Sequence, residues 1–91
     1  MSVTIVVPTA LRRFADNCER LQVEAEHVDG ALAEAARRHP KLQAQLFGAG
    51  GKLRGFILVF VNAHNIKQLQ HERTPLVPGD TITLVPAIAG G

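Results

Sequence analysis

The residues most able to do chemistry stand in the last stretch of the sequence, Pro86-Ala87-Ile88-Ala89-Gly90-Gly91. Glycine has no side chain, so Gly90-Gly91 can enter a channel too narrow for any other dipeptide. The carboxylate of Gly91 is then the working group, and Ala87, Ile88, Ala89 and Gly90 form the rest of a thin, uncharged, flexible wire. Residues 81–85 before it alternate polar and β-branched apolar side chains, the pattern of a strand with one buried face. Pro86 lacks a ladder donor and is expected to end the pairing there.

Other reactive-looking features fail on spacing. Gly48-Ala49-Gly50-Gly51-Lys52 resembles a phosphate loop, but that motif needs Gly five positions before its Gly-Lys and Ser or Thr after it; the chain has Leu46 and Leu53. The run reads as a mobile loop. The four histidines are scattered, none beside a second plausible metal ligand, so no metal site is expected. Cys18 is the only cysteine, which excludes an internal disulfide and a thiolate-rich metal centre, and nothing around it marks a nucleophile. No serine–histidine–aspartate or paired-carboxylate arrangement can be assembled, so no catalytic residue is assigned.

Composition narrows the class. Ninety-one residues with 46% hydrophobic content make one small domain with a single core and no room for a cleft between lobes. Basic and acidic residues are interspersed and net charge is only +2, and Tyr and Trp are absent, which argues against nucleic acid. No segment approaches about 18 consecutive apolar residues, and no charged leader precedes a long apolar run, so no membrane association and a cytoplasmic location are expected.

The elements that must position the tail follow from periodicity. Residues 1–7 read as a strand with Val3, Ile5 and Val7 on one face and Thr4 and Val6 on the other. Pro8-Thr9 stops it, Asp16-Asn17 marks a turn, and residues 19–25 alternate again, giving an N-terminal hairpin. Residues 27–39 form the main helix, with Val28, Leu32, Ala35 and Ala36 at helical spacing and Glu34 and Arg38 as an i,i+4 pair. Pro40 ends it, and Leu42 and Leu46 suggest one further apolar turn over 41–47. Residues 56–61 are six apolar residues in a row, a strand with both faces apolar. After a turn at 62–65, residues 66–70 read as a short edge strand protected by Lys67 and Gln68. Gly79-Asp80 then launches the last strand.

That central apolar strand implies an exposed patch. If Ile57, Val59 and Val61 point into the core, Phe56, Leu58 and Phe60 point out, with Val85 and Ile88 on the same side near the tail. Contiguous exposed apolar surface marks a partner site, so Phe56, Leu58, Phe60 and Val85 are expected to dock partners.

With these residues in view the chain resembles the MoaD/ThiS family of ubiquitin-like sulfur carriers. The likeness rests on Thr74-Pro75-Leu76, Gly79-Asp80, Ile82, Leu84, Pro86-Ala87 and Ala89-Gly90-Gly91, with Val61-Asn62 at the close of the central strand. Val3-Thr4-Ile5, Pro8-Thr9, Leu11-Arg12 and the glycine-rich middle loop look most like the CysO-type branch. The resemblance implies an α+β β-grasp fold: a mixed sheet of four to five strands packed on one main helix, over residues 1–86, with 87–91 as the tail. It also implies that a ubiquitin-activating-like (MoeB/ThiF-type) adenylating enzyme uses ATP to activate the Gly91 carboxylate. A thiocarboxylate forms and donates sulfur to an acceptor synthase, in the synthesis of cysteine or a secondary metabolite. The chain itself is then a cosubstrate with no bound cofactor, rather than an enzyme. The same tail serves the small subunit of molybdopterin synthase and ubiquitin-like protein modifiers, and a plain interaction domain with an inert tail is a further alternative.

Overall fold

The computed structural model describes residues 2–86, and the predicted wire at 87–91 lies outside them. The N-terminal hairpin forms as expected: β1 (Val3–Val6) pairs antiparallel with β2 (Arg20–Val23), Val3 opposite Val23 and Val6 opposite Arg20. Alternation sets the faces. Val3, Ile5, Leu21 and Val23 are buried, while Gln22 and Arg20 are exposed. The hairpin connection is a 3-10 turn over Thr9–Phe14 followed by Asp16 and Asn17, both at positive φ (53° and 62°), which these residues tolerate better than most. Arg12 braces this loop by donating to the Val7 carbonyl at 3.0 Å.

The main helix, α1 (Val28–Arg38), buries Val28, Ala31, Leu32, Ala35 and Ala36, so its apolar stripe is wide enough to cover a sheet. Glu34 bonds both Arg37 and Arg38, at 2.6 and 2.9 Å, on the solvent side. Pro40 ends α1 and occupies the first turn of a second helix, α2 (Pro40–Leu46), where its missing N–H costs nothing. Leu42 and Leu46 anchor α2 in the core, and the glycine run closes a 3-10 turn over Ala49–Gly51 in which Gly50 and Gly51 take φ of 76° and 75°.

The sheet order is β2-β1-β5-β3-β4. The last strand, β5 (Thr81–Pro86), is therefore at the centre, parallel to β1 and antiparallel to β3 (Ile57–Val61). Inner-face residues Ile5, Val59, Ile82 and Leu84 share one core cluster with Leu32, Ala35 and Leu42 from the helices. Each fully buried Leu or Ile side chain contributes about 1.5–3 kcal/mol. This mixed five-stranded sheet with helices on one face is the β-grasp arrangement.

Two sequence-based expectations change. Residues 66–70 are not an edge strand. Strand β4 is only His64–Asn65, and Ile66–Gln68 turns into a 3-10 helix. The reason is local: the Asn65 side chain accepts from the Lys67 N–H at 2.9 Å, an Asx cap that diverts the backbone from the ladder. Pro86, in turn, does not end the pairing but belongs to β5, opposite Ile57. In a parallel ladder with Thr4 N–H on the Asp80 carbonyl (3.0 Å), even-numbered β5 residues face β1. The last register pair with β1 is Val6–Thr83, so the missing N–H of Pro86 points where no strand remains to receive it.

Candidate functional site

The site is built around the exit of β5. Its inner residues, Ile82 and Leu84, are 0% and 2% exposed and fix the strand in depth. Its entry is fixed by polar bonds. Asn62 closes β3 at φ 55° and donates its own N–H to the Thr81 carbonyl at 2.7 Å. The Asn62 side chain bridges the same point: Nδ2 donates to Asp80 Oδ1 at 3.0 Å, and Oδ1 accepts from Thr81 N–H at 3.1 Å. The other Asp80 oxygen accepts from Val77 N–H at 2.9 Å. Gly79, at φ 88°, donates to the Ser2 carbonyl at 3.0 Å, a conformation that side-chain-bearing residues rarely adopt. Sequence reading took 62–65 as a turn and Gly79-Asp80 as the launch of the last strand, and counted Val61-Asn62 and Gly79-Asp80 in the resemblance, without joining the two. The geometry supplies their reason: they form one lock that sets where β5 begins, and so which residue leaves the sheet at Pro86.

On the outer face, Val85 lies directly across from Leu58, and Phe60 across from Thr83. Phe56 and Val85 are each 37% exposed; Leu58 and Phe60 are half-buried. These side chains share one quadrant by strand parity, with Phe56 in the turn just before β3 rather than in the strand itself. Ile88, expected on the same side, lies outside the described residues, as do Ala87, Ala89, Gly90 and Gly91. Val6 extends the quadrant through Thr83, its β5 register partner. Sequence reading had placed Val6 on this face but did not join it to the patch; the missing signal was the strand order, which puts β5 between β1 and β3. The remainder of the outer face is polar, from Thr4, Arg20, Gln22 and Thr81.

The other singled-out groups stay apart from this exit. Cys18 is half-buried and free within the hairpin connection, packed against the core. Among the described residues no three of His, Cys, Asp and Glu gather closely enough to hold a metal ion, and no helix is long and apolar enough to cross a membrane. The buried side-chain polar atoms among the described residues all have partners.

Comparison with known proteins agrees with this geometry. The ThiS family model matches residues 5–91. Sulfur carrier protein CysO of Mycobacterium tuberculosis (strain H37Rv) is 25% identical, with the whole of each chain covered. A chain of the Amycolatopsis orientalis BexX/CysO complex superposes with a TM-score of 0.88 at 30% identity, over 98% of this chain and 99% of that one. Small archaeal modifier protein 1 of Methanosarcina acetivorans superposes at 0.89 with 27% identity, over 99% and 96%. A central C-terminal strand, a lock at its entry and a match running through Gly91 converge on one assignment: the chain belongs to the ThiS family.

Proposed function

We propose that this chain is a sulfur carrier protein whose Gly91 carboxylate is the carrying group. The observation that supports this most directly is the family match through residue 91, on a strand whose exit abuts the apolar quadrant of Phe56, Leu58, Phe60 and Val85. A carboxylate is a poor electrophile because oxide is its leaving group. A partner of the ubiquitin-activating type solves this by transferring AMP from ATP to the Gly91 carboxylate, releasing pyrophosphate. Sulfide then displaces AMP and leaves a terminal thiocarboxylate. A persulfide displaces AMP to give an acyl disulfide, whose S–S bond a second thiol cleaves to the same thiocarboxylate while forming a disulfide with the donor sulfur. Gly90 and Ala89, Ile88 and Ala87 thread the tail into the partner's channel, while the apolar quadrant docks first the activating enzyme and then the sulfur-accepting synthase. The chain serves as a cosubstrate, and ATP is bound by the partner. Cysteine or a secondary metabolite is the destination of the sulfur that the CysO-type resemblance implies.

The likeness to a small archaeal modifier protein supports a second reading, transfer of the same activated tail to lysines of other proteins. The small subunit of molybdopterin synthase is a third user of such a tail. Intact-protein mass spectrometry tests the proposal after incubation with ATP, sulfide and host lysate. Exchange of one oxygen for sulfur adds about 16 Da to the chain. Isopeptide-linked adducts without that species favour the modifier reading. An unchanged mass, with the activating enzyme shown to work on another carrier, rejects both.

A further inference from the structure

A second surface, which shares only Leu58 with the exit quadrant, lies on the opposite edge of β3. Strand β4 covers that edge only at Phe60 and Val61. The Asn62–Thr81 bond assigns even-numbered residues of β3 to β5, so Ile57 and Val59 direct their backbone groups to the other side. The Ile57 N–H is taken by the Arg54 carbonyl at 3.1 Å. The Ile57 carbonyl and the Val59 N–H therefore face an edge against which no strand of the described residues lies.

This edge opens into a groove of about 330 Å³. Leu53, Leu58 and Ile66 contribute its apolar walls. Lys52, Arg54, Lys67 and His71 stand around it against a single carboxylate, Glu72. No salt bridge among the described residues engages Lys52, Arg54 or Lys67. Arg54 is also held in place, donating to the Ala44 carbonyl at 3.1 Å.

We propose that this edge accepts an extended acidic peptide segment of a partner protein by strand addition, pairing with Ile57 and Val59. Backbone bonds supply the attachment, apolar side chains of the segment enter the groove, and flanking carboxylates meet the lysines. The charge decides between occupants. A second copy of this chain brings the same basic rim to the edge and is repelled, which is also how lysines keep exposed strand edges from self-association. An acidic strand meets the complementary sign.

The probe is a fluorescein-labelled peptide of alternating valine and isoleucine flanked by aspartate and glutamate, titrated against the full chain by anisotropy and NMR. Binding with a Kd below about 1 mM is expected. Shift changes are expected within residues 52–59 and 65–72, with exchange of the Val59 N–H slowed at least about ten-fold at saturation. N-methylation along one edge of the peptide abolishes binding, while the other edge tolerates it. Lys52→Glu with Lys67→Glu, both exposed, weakens binding about ten-fold without changing the melting temperature. The proposal fails on any of four results: no binding at millimolar peptide, equal binding of a lysine-flanked peptide, shifts on the Phe60–Val85 face instead, or edge-to-edge dimers of the chain. None of these results bears on Gly91 loading, which is read separately by mass.

Discussion

The two ends of β5 are held by opposite means. At its entry, Asn62, Asp80, Gly79 and Thr81 exchange short hydrogen bonds with β3, the preceding loop and Ser2, and every one depends on a particular side chain or a positive φ. At its exit, Pro86 has no N–H to give, and the exposed neighbours Val85 and Phe56 offer only apolar contact. The entry is directional; the exit is non-directional, which suits the proposed docking of different partners in turn. Stability and exchange are thereby separated along about five residues of one strand.

The contrast can be tested most severely within β5 itself. Leu84→Ala removes a side chain that is 2% exposed and should cost about 2–5 kcal/mol in urea unfolding. A smaller cost than that of Val85→Ala, one residue on, would show that the exit face carries the fold. Deleting Gly91 moves the terminal carboxylate back by one residue and should cut sulfur loading at least about 100-fold. Unfolding free energy should stay within about 0.5 kcal/mol; a larger loss would tie the tail to the fold. At the entry, Asn62→Gly keeps the left-handed backbone but deletes the amide bridge, and should cost about 1–3 kcal/mol. Gly79→Ala should cost about 1–2 kcal/mol through φ alone, since open space surrounds the site of its Cβ. At the exit, Val85→Asp should leave stability nearly unchanged while raising the carrier KM of the activating enzyme about ten-fold. An unchanged KM would remove Val85 from the docking surface.

The smallest effect lies away from both ends. The guanidinium groups of Arg37 and Arg38 pull the Glu34 carboxyl down from 4.5 to about 2. Its folded value lies below its unfolded one, so the pairing contributes above about pH 4.5 and is lost as pH falls toward about 2. Melting temperature should decline across that window, and Glu34→Gln should flatten the decline. Because both arginines are exposed, about 1 M salt should flatten it too.

The sheet and the main helix were legible in the sequence because parity and the 3.6-residue period are written in single residue types. Ile57, Val59 and Val61 face inward as their alternation implied, and Phe56, Leu58 and Phe60 face outward. The short edge strand was misread because Ile66 looks like a strand residue, whereas one hydrogen bond from Lys67 to the Asn65 side chain turns the chain away. The lock at Asn62 and Asp80 was invisible for a different reason. Its partners are 18 residues apart, and no local pattern announces that an asparagine at the close of one strand will hold the start of another. The open edge of β3 was hidden by the same misreading, since an edge strand at 66–70 would have covered it.

The parallel pairing of β1 with β5 also governs how the molecule is made. Thr4 meets Thr81, so the ladder at the centre of the sheet joins opposite ends of the chain. Such a contact pays its loop-closure entropy late and slows folding relative to local pairing. During synthesis the hairpin and α1 can form early, but β1 and β3 have nothing between them until residues 81–86 emerge. Without residues 81–86, the β1–β2 and β3–β4 pairs have no strand to join them into one sheet. Completion of the fold and arrival of the tail are thus nearly simultaneous events in the life of each chain.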